Sequence, residues 1–174
     1  MPPLDGEALE RLALRYVERY ATTCAKLKDY LRRKLRERGW AGEDDPSEAI
    51  DGIVAKARDL GYVDDEAFAR ARSASLLRRG YGQRRLDAAL RAAGVNEEDS
   101  EGAREEAREG AWRAVLRFAE RKRGGPYAAA PLAPDQRRKI LNAILRAGHP
   151  MDLARRVVEM APGDLVDPDE PNFP

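Results

Sequence analysis

The chain has 174 residues, of which 32 are Lys or Arg and 31 are Asp or Glu, for a net charge of +1. That length can bury a real core in one domain or a short array of small units, and the balanced total does not by itself mark a nucleic-acid binder. One cysteine, Cys24, and one histidine, His149, allow neither an internal disulfide nor a zinc site, so no cofactor or metal is expected.

Ala, Leu, Arg and Glu are abundant and aromatics make up only 6%, which predicts an all-α protein. The first predicted helix, "EALERLALRYVERY", carries Leu12 and Tyr16. The second ends in "LRRKLRERGW", with Leu31 and Leu35 eight and four positions before Gly39. "PSEAIDGIVAKARDLGYV" supplies a third helix, and "DEAFARARSASLLRR", with Phe68, a fourth. In "LDAALRAAGV", Leu86 and Leu90 precede Gly94 as the earlier leucines precede Gly39. "EEDSEGAREEAREG" is a weaker helix, interrupted by Ser100, Gly102 and Gly110. "EGAWRAVLRFAERKR", with Trp112 and Phe118, comes next, followed by a Gly- and Pro-rich insertion that reads as a loop, "GGPYAAAPLAP". "ILNAILRAGH" repeats the pattern with Ile140 and Ile144 before Gly148, and "MDLARRVVEM" is the last helix.

The three glycines are 55 and 54 residues apart, an internal repeat. Each follows an i, i+4 aliphatic pair and can take the left-handed conformation that ends a helix. The expected organisation is therefore three tandem three-helix repeats: 1–61, 62–110, and 111–161 with the insertion at 124–134. An acidic, flexible or surface-lying tail over 162–174 follows. Trp40, Trp112 and Phe118 are expected in cores, as is His149, which takes the place of Trp40 and Val95 in the other repeats.

Charge alternates along this frame. Residues 22–40 carry seven bases and two acids, residues 70–91 seven and one, and residues 113–139 eight and two, whereas residues 43–66 carry two bases and nine acids and residues 96–110 two and seven. The bland reading is a set of solvated faces with i, i+4 pairs such as Asp29 with Arg33. The stretch "RRGYGQRR" argues for more. Gly80 caps one helix, Gly82 starts the next and Tyr81 spans the corner, which places Arg84 and Arg85 in a first turn where the helix dipole is already positive. Arg137, Arg138 and Lys139 repeat the arrangement behind a predicted cap, Asp135. Cations, unpaired backbone N–H groups and the dipole would then converge on an anion site.

Enzyme readings find no support. No Walker-type loop is present, Gly80-Tyr81-Gly82 lacks the preceding strand and third glycine of a dinucleotide fingerprint, and Cys24, although near a helix start that would lower its pKa, has no base beside it. Asp44-Asp45 and Glu97-Glu98-Asp99 precede predicted helices, where acids are favourable. No window approaches 18 apolar residues and the N-terminus has no basic leader followed by an apolar core, so a cytoplasmic protein without membrane contact is expected.

"DDEAFARARSASLLRRGYGQRRLDAALRAAGV", residues 64–95, closely resembles the signature of the RecX family of recombination regulators. It has paired acids starting a helix, a Phe-Ala pair, Arg-Arg-Gly-Tyr-Gly, a basic pair, and leucines before Gly-Val. "YLRRKLRERGW" and "LARRVVEM" resemble the family's flanking modules, so the likeness spans roughly residues 10–160. Thr23, a candidate cap, lies about a turn further from the leucine pair than the family pattern suggests.

The resemblance implies an elongated, curved, all-helical monomer. It would bind the RecA recombinase filament on DNA and dampen its ATP hydrolysis, strand exchange and coprotease activity in the SOS response. Carried over by position, Arg78, Arg79, Tyr81, Arg84 and Arg85 match the central motif, and Lys34 with Leu35 matches the first module. Arg32, Arg137, Arg138 and Lys139 complete the interface candidates for the filament or for DNA. The alternative is a protein that grips single-stranded DNA directly and affects RecA by competition; double-stranded DNA is a further candidate partner.

Overall fold

The computed structural model describes residues 2–169. Among them are nine α-helices, one short 3₁₀ turn and no strand. The helices are α1 (Gly6–Arg19), α2 (Cys24–Arg38), α3 (Pro46–Asp59), α4 (Asp65–Arg78), α5 (Gln83–Ala93), α6 (Glu97–Glu109), α7 (Ala111–Lys122), α8 (Pro134–Arg146) and α9 (Met151–Glu159). Gly39, Gly94 and Gly148 follow α2, α5 and α8 with φ of 82°, 71° and 97°, the region where a side chain is strained. The chain forms two compact units: Met1–Ala69 with Arg91–Ser100, and Arg70–Leu90 with Glu101–Pro174.

In the first unit the helix starts are determined by short polar side chains. Asp5 accepts the Ala8 N–H at 2.8 Å to begin α1, and Asp45 accepts the Ser47 N–H at 2.7 Å to begin α3, whose first residue is Pro46. Thr23 caps α2: its Oγ1 accepts from the Lys26 N–H and donates to the Ala93 carbonyl at 2.5 Å, and the side chain is fully buried. The paired acids divide their work. Asp64 accepts the Ala67 N–H at the start of α4, while Asp65 accepts the Cys24 N–H at 2.9 Å and so satisfies a free donor of α2. Burial together with the Asp65 carboxylate raises the Cys24 pKa, so the lowering expected from a helix start does not occur. Leu9, Leu27, Leu31, Ile50 and Val54 make the core, with Leu35 only half-buried at its edge.

The second unit has its own core of Trp112, Val115, Leu116, Phe118, Ile144 and Val157. Leu86 and Leu90 are buried, and Ile140 is half-buried against Gly124. The insertion is not an open loop. It forms a 3₁₀ turn at Gly125–Tyr127, and Gly125 sits so close to the Val157 carbonyl that a Cβ there would lie 2.0 Å from the oxygen. Gly163 donates to Pro126 at 2.9 Å and the Trp112 indole to the Asp167 carbonyl at 2.9 Å, which holds the described part of the tail on the surface of the unit. Residues 170–174 lie outside the described residues.

α6 is complete despite its interruptions. Asn96 accepts the Asp99 N–H at 2.8 Å, the acids of the first turn suit the dipole, and Ala103 and Ala107 are buried. Gly102 leaves room for the Arg70 guanidinium, 2.4 Å from where a Cβ would stand.

Candidate functional site

The corner between α4 and α5 lies wholly in the second unit. α4 ends in a Schellman turn: the Tyr81 N–H reaches back to the Leu76 carbonyl at 2.9 Å and the Gly80 N–H to Leu77 at 2.9 Å, with Gly80 at φ 76°. α5 then starts from Gly82, which rests on the end of α8. The Gly82 N–H donates to the Ala147 carbonyl at 2.9 Å and the Arg84 N–H to the Gly148 carbonyl at 3.1 Å. A Cβ on Gly82 would lie 2.5 Å from the Gly148 backbone, so both glycines are required by the close approach.

This contact corrects two expectations. The N–H groups of Gly82 and Arg84 are bonded to carbonyls of α8 and its cap rather than open to an anion. The cost of Arg84 and Arg85 beside the positive end of α5 is offset by the negative end of α8 packed on it. Asp135 is also not the cap of α8. Ala133 holds that position, Pro134 is the first residue, and the Gln136 side chain accepts the Ala133 N–H at 3.1 Å. Asp135 lies inside the first turn and pairs with Arg138 at 2.8 Å, so Arg137, Arg138 and Lys139 fall past that turn.

Beneath the corner, His149 is fully buried, with Nε2 2.8 Å from the Gly80 carbonyl. A carbonyl only accepts, so Nε2 carries the proton of a neutral ring. Burial lowers the His149 pKa and the Gly80 bond opposes that shift more weakly. The predicted packing role thus includes a polar strut that holds the turn.

The outer face carries the charge. The Arg79 and Arg85 guanidiniums lie 5.1 and 5.0 Å from the centre of the Tyr81 ring, a cation–π pair on one aromatic. Arg72, Leu76, Arg79, Tyr81, Arg85, Ala88 and Ala89 line a hollow of about 380 Å³ with no acid in its wall. Arg72 was not among the sequence candidates, although its spacing of seven from Arg79 places the two on one face. Arg84 is exposed outside this wall. Arg78 lines a different hollow, of about 780 Å³, whose wall also holds Glu106, Glu109 and Asp152. The two candidates of the first unit are neutralised locally: Arg32 lies 3.5 Å from Asp29, and Lys34 lies 2.7 Å from Glu37.

Among the described residues no group of His, Cys, Asp and Glu could hold a metal ion, and no helix is long and apolar enough to cross a membrane. The sequence model of a family described as "RecX, second three-helix domain" matches residues 64–103, the span of α4, α5 and the start of α6. A regulatory protein RecX from Myxococcus xanthus (strain DK1622) is 32% identical over 163 residues, 88% of this chain and 86% of the relative. The crystal structure of RecX from Lactobacillus salivarius superposes with a TM-score of 0.64 at 18% identity, covering 88% of this chain and 94% of that one, and so shares the fold. The Arg-Arg-Gly-Tyr-Gly corner, the helical fold and this extent of identity together make the chain a member of the RecX family of regulatory proteins.

Proposed function

We propose that this protein binds the filament that the RecA recombinase forms on DNA and inhibits its ATP hydrolysis, strand exchange and coprotease activity. It would act in the cytoplasm as a monomer built of three repeats, 1–61, 62–110 and 111–161. The observation that carries the reading is the acid-free hollow of Arg72, Arg79 and Arg85 around Tyr81, mounted on a backbone fastened at Gly80, Gly82 and His149. Three cations around one aromatic suit a negatively charged protein surface or phosphates, and a fastened backbone reduces the ordering cost on binding. Arg78 and Arg84 extend the same corner. Arg32, Lys34, Arg137, Arg138 and Lys139 are secondary contacts; Arg32, Lys34 and Arg138 would exchange a local carboxylate for one on the partner.

The test is RecA ATPase on saturating single-stranded DNA with stoichiometric protein. Inhibition is expected, and none would remove the reading. Competition for DNA is the second mode. It would vanish as DNA is raised and would weaken steeply with salt, whereas filament binding should persist at saturating DNA.

A further inference from the structure

The first unit carries a second cationic face that the central motif does not touch. Tyr16 of α1 and Tyr30 of α2 stack with centroids 4.2 Å apart and planes 15° from parallel, and Tyr20 adds a third ring 5.2 Å from Tyr16. Arg19 lies over Tyr20 at 5.5 Å, and Arg33 and Lys34 lie over Tyr30 at 5.6 and 5.9 Å. With Arg15 these side chains line a hollow of about 540 Å³ that has no acid in its wall. A carboxylate outside the wall, Glu37, lies 2.7 Å from Lys34 and 3.8 Å from Arg33. Tyr20, just past the end of α1, is 50% exposed, although an aromatic of this size ordinarily gains by burial.

From this arrangement we infer that the hollow is a binding site for single-stranded nucleic acid. One base stacks on Tyr20, the exposed ring of the cluster, while Arg15, Arg19, Arg33 and Lys34 hold the flanking phosphates. Tyr20, backed by the Tyr16–Tyr30 pair, gives a base a π-surface, and four cations outnumber Glu37, which engages Lys34 and Arg33, so the hollow keeps a positive field for phosphates; an acidic peptide would use the cations and leave Tyr20 idle. The inference is independent of the corner, which belongs to the other unit. Glu37 competes with phosphate for Lys34 and Arg33, so its removal should strengthen binding.

The experiment is fluorescence anisotropy of the full chain with a labelled oligo(dT) and with an abasic strand of equal length. Tyr20→Ala should weaken oligo(dT) binding about five- to hundred-fold with an unchanged melting temperature. Arg15→Ala with Arg19→Ala should weaken both strands, and Glu37→Gln should strengthen both. Equal affinity of the parent for the two strands would reduce the hollow to a phosphate surface and overturn the stacking site. Oligo(dT) binding by Tyr20→Ala equal to that of the parent would overturn it too. Loss of RecA binding by that variant without any change on oligo(dT) would assign the hollow to a protein contact instead.

Discussion

Gly82 and His149 show how much of the corner rests on single residues. Any side chain at Gly82 enters the Gly148 backbone, so Gly82→Ala should destabilise the protein by about 1–3 kcal/mol, as overpacking does, checked by urea denaturation. His149 has its pKa lowered in the folded state by burial, so the unfolded chain binds the extra proton first. Stability is therefore fully retained above the unfolded value of about 6.5 and declines as pH falls from there towards the folded value. Denaturation at pH 7.5 and 5.5 should show this loss, and His149→Gln should lessen it. A stability as high at pH 5.5 as at pH 7.5 would mean the ring protonates without cost. The packing role of His149 was legible from its place in the repeat. Its bond to Gly80 was not, because that partner is 69 residues away in the chain.

At the scale of the helix, the i, i+4 aliphatic pairs before glycine revealed where α2, α5 and α8 end, since both the burial pattern and the left-handed stop are local properties. Depth of burial is not local: Leu31 and Ile144 are fully buried, whereas Leu35 and Ile140 are only half-buried because each faces the margin of its core. Leu90→Ala should cost about 2–5 kcal/mol, and Ile140→Ala clearly less than Ile144→Ala, by the same denaturation measurement. Local rules found α6 but underrated it, since burial of Ala103 and Ala107 outweighs the propensity cost of Ser100 and Gly102, and they misplaced the start of α8, which Pro134 rather than Asp135 marks. The start of α5 on the end of α8 escaped them altogether. For that reason Arg84→Ala should change stability by no more than about 0.5 kcal/mol, short of the gain of up to about 1 kcal/mol that relief of an isolated dipole could bring.

Over the whole molecule, a net charge of +1 conceals two acid-free cationic hollows, one in each unit. The alternation of basic and acidic segments pointed to such faces. Their membership did not follow from it, because Tyr16 of α1, Tyr20 just past its end and Tyr30 of α2 come together only in the fold, and Arg72 joins Arg79 and Arg85 only when the corner folds. The hollow around Tyr81 is proposed to hold the RecA filament. The most direct measurement is RecA ATPase on saturating single-stranded DNA, titrated with the parent and with Arg79→Glu combined with Arg85→Glu. Both arginines are exposed, so the variant should fold with a melting temperature close to the parent's. The parent should inhibit at stoichiometric protein and the variant should lose most of that inhibition, because attraction becomes like-charge repulsion. A folded variant that inhibits as strongly as the parent would contradict the proposal.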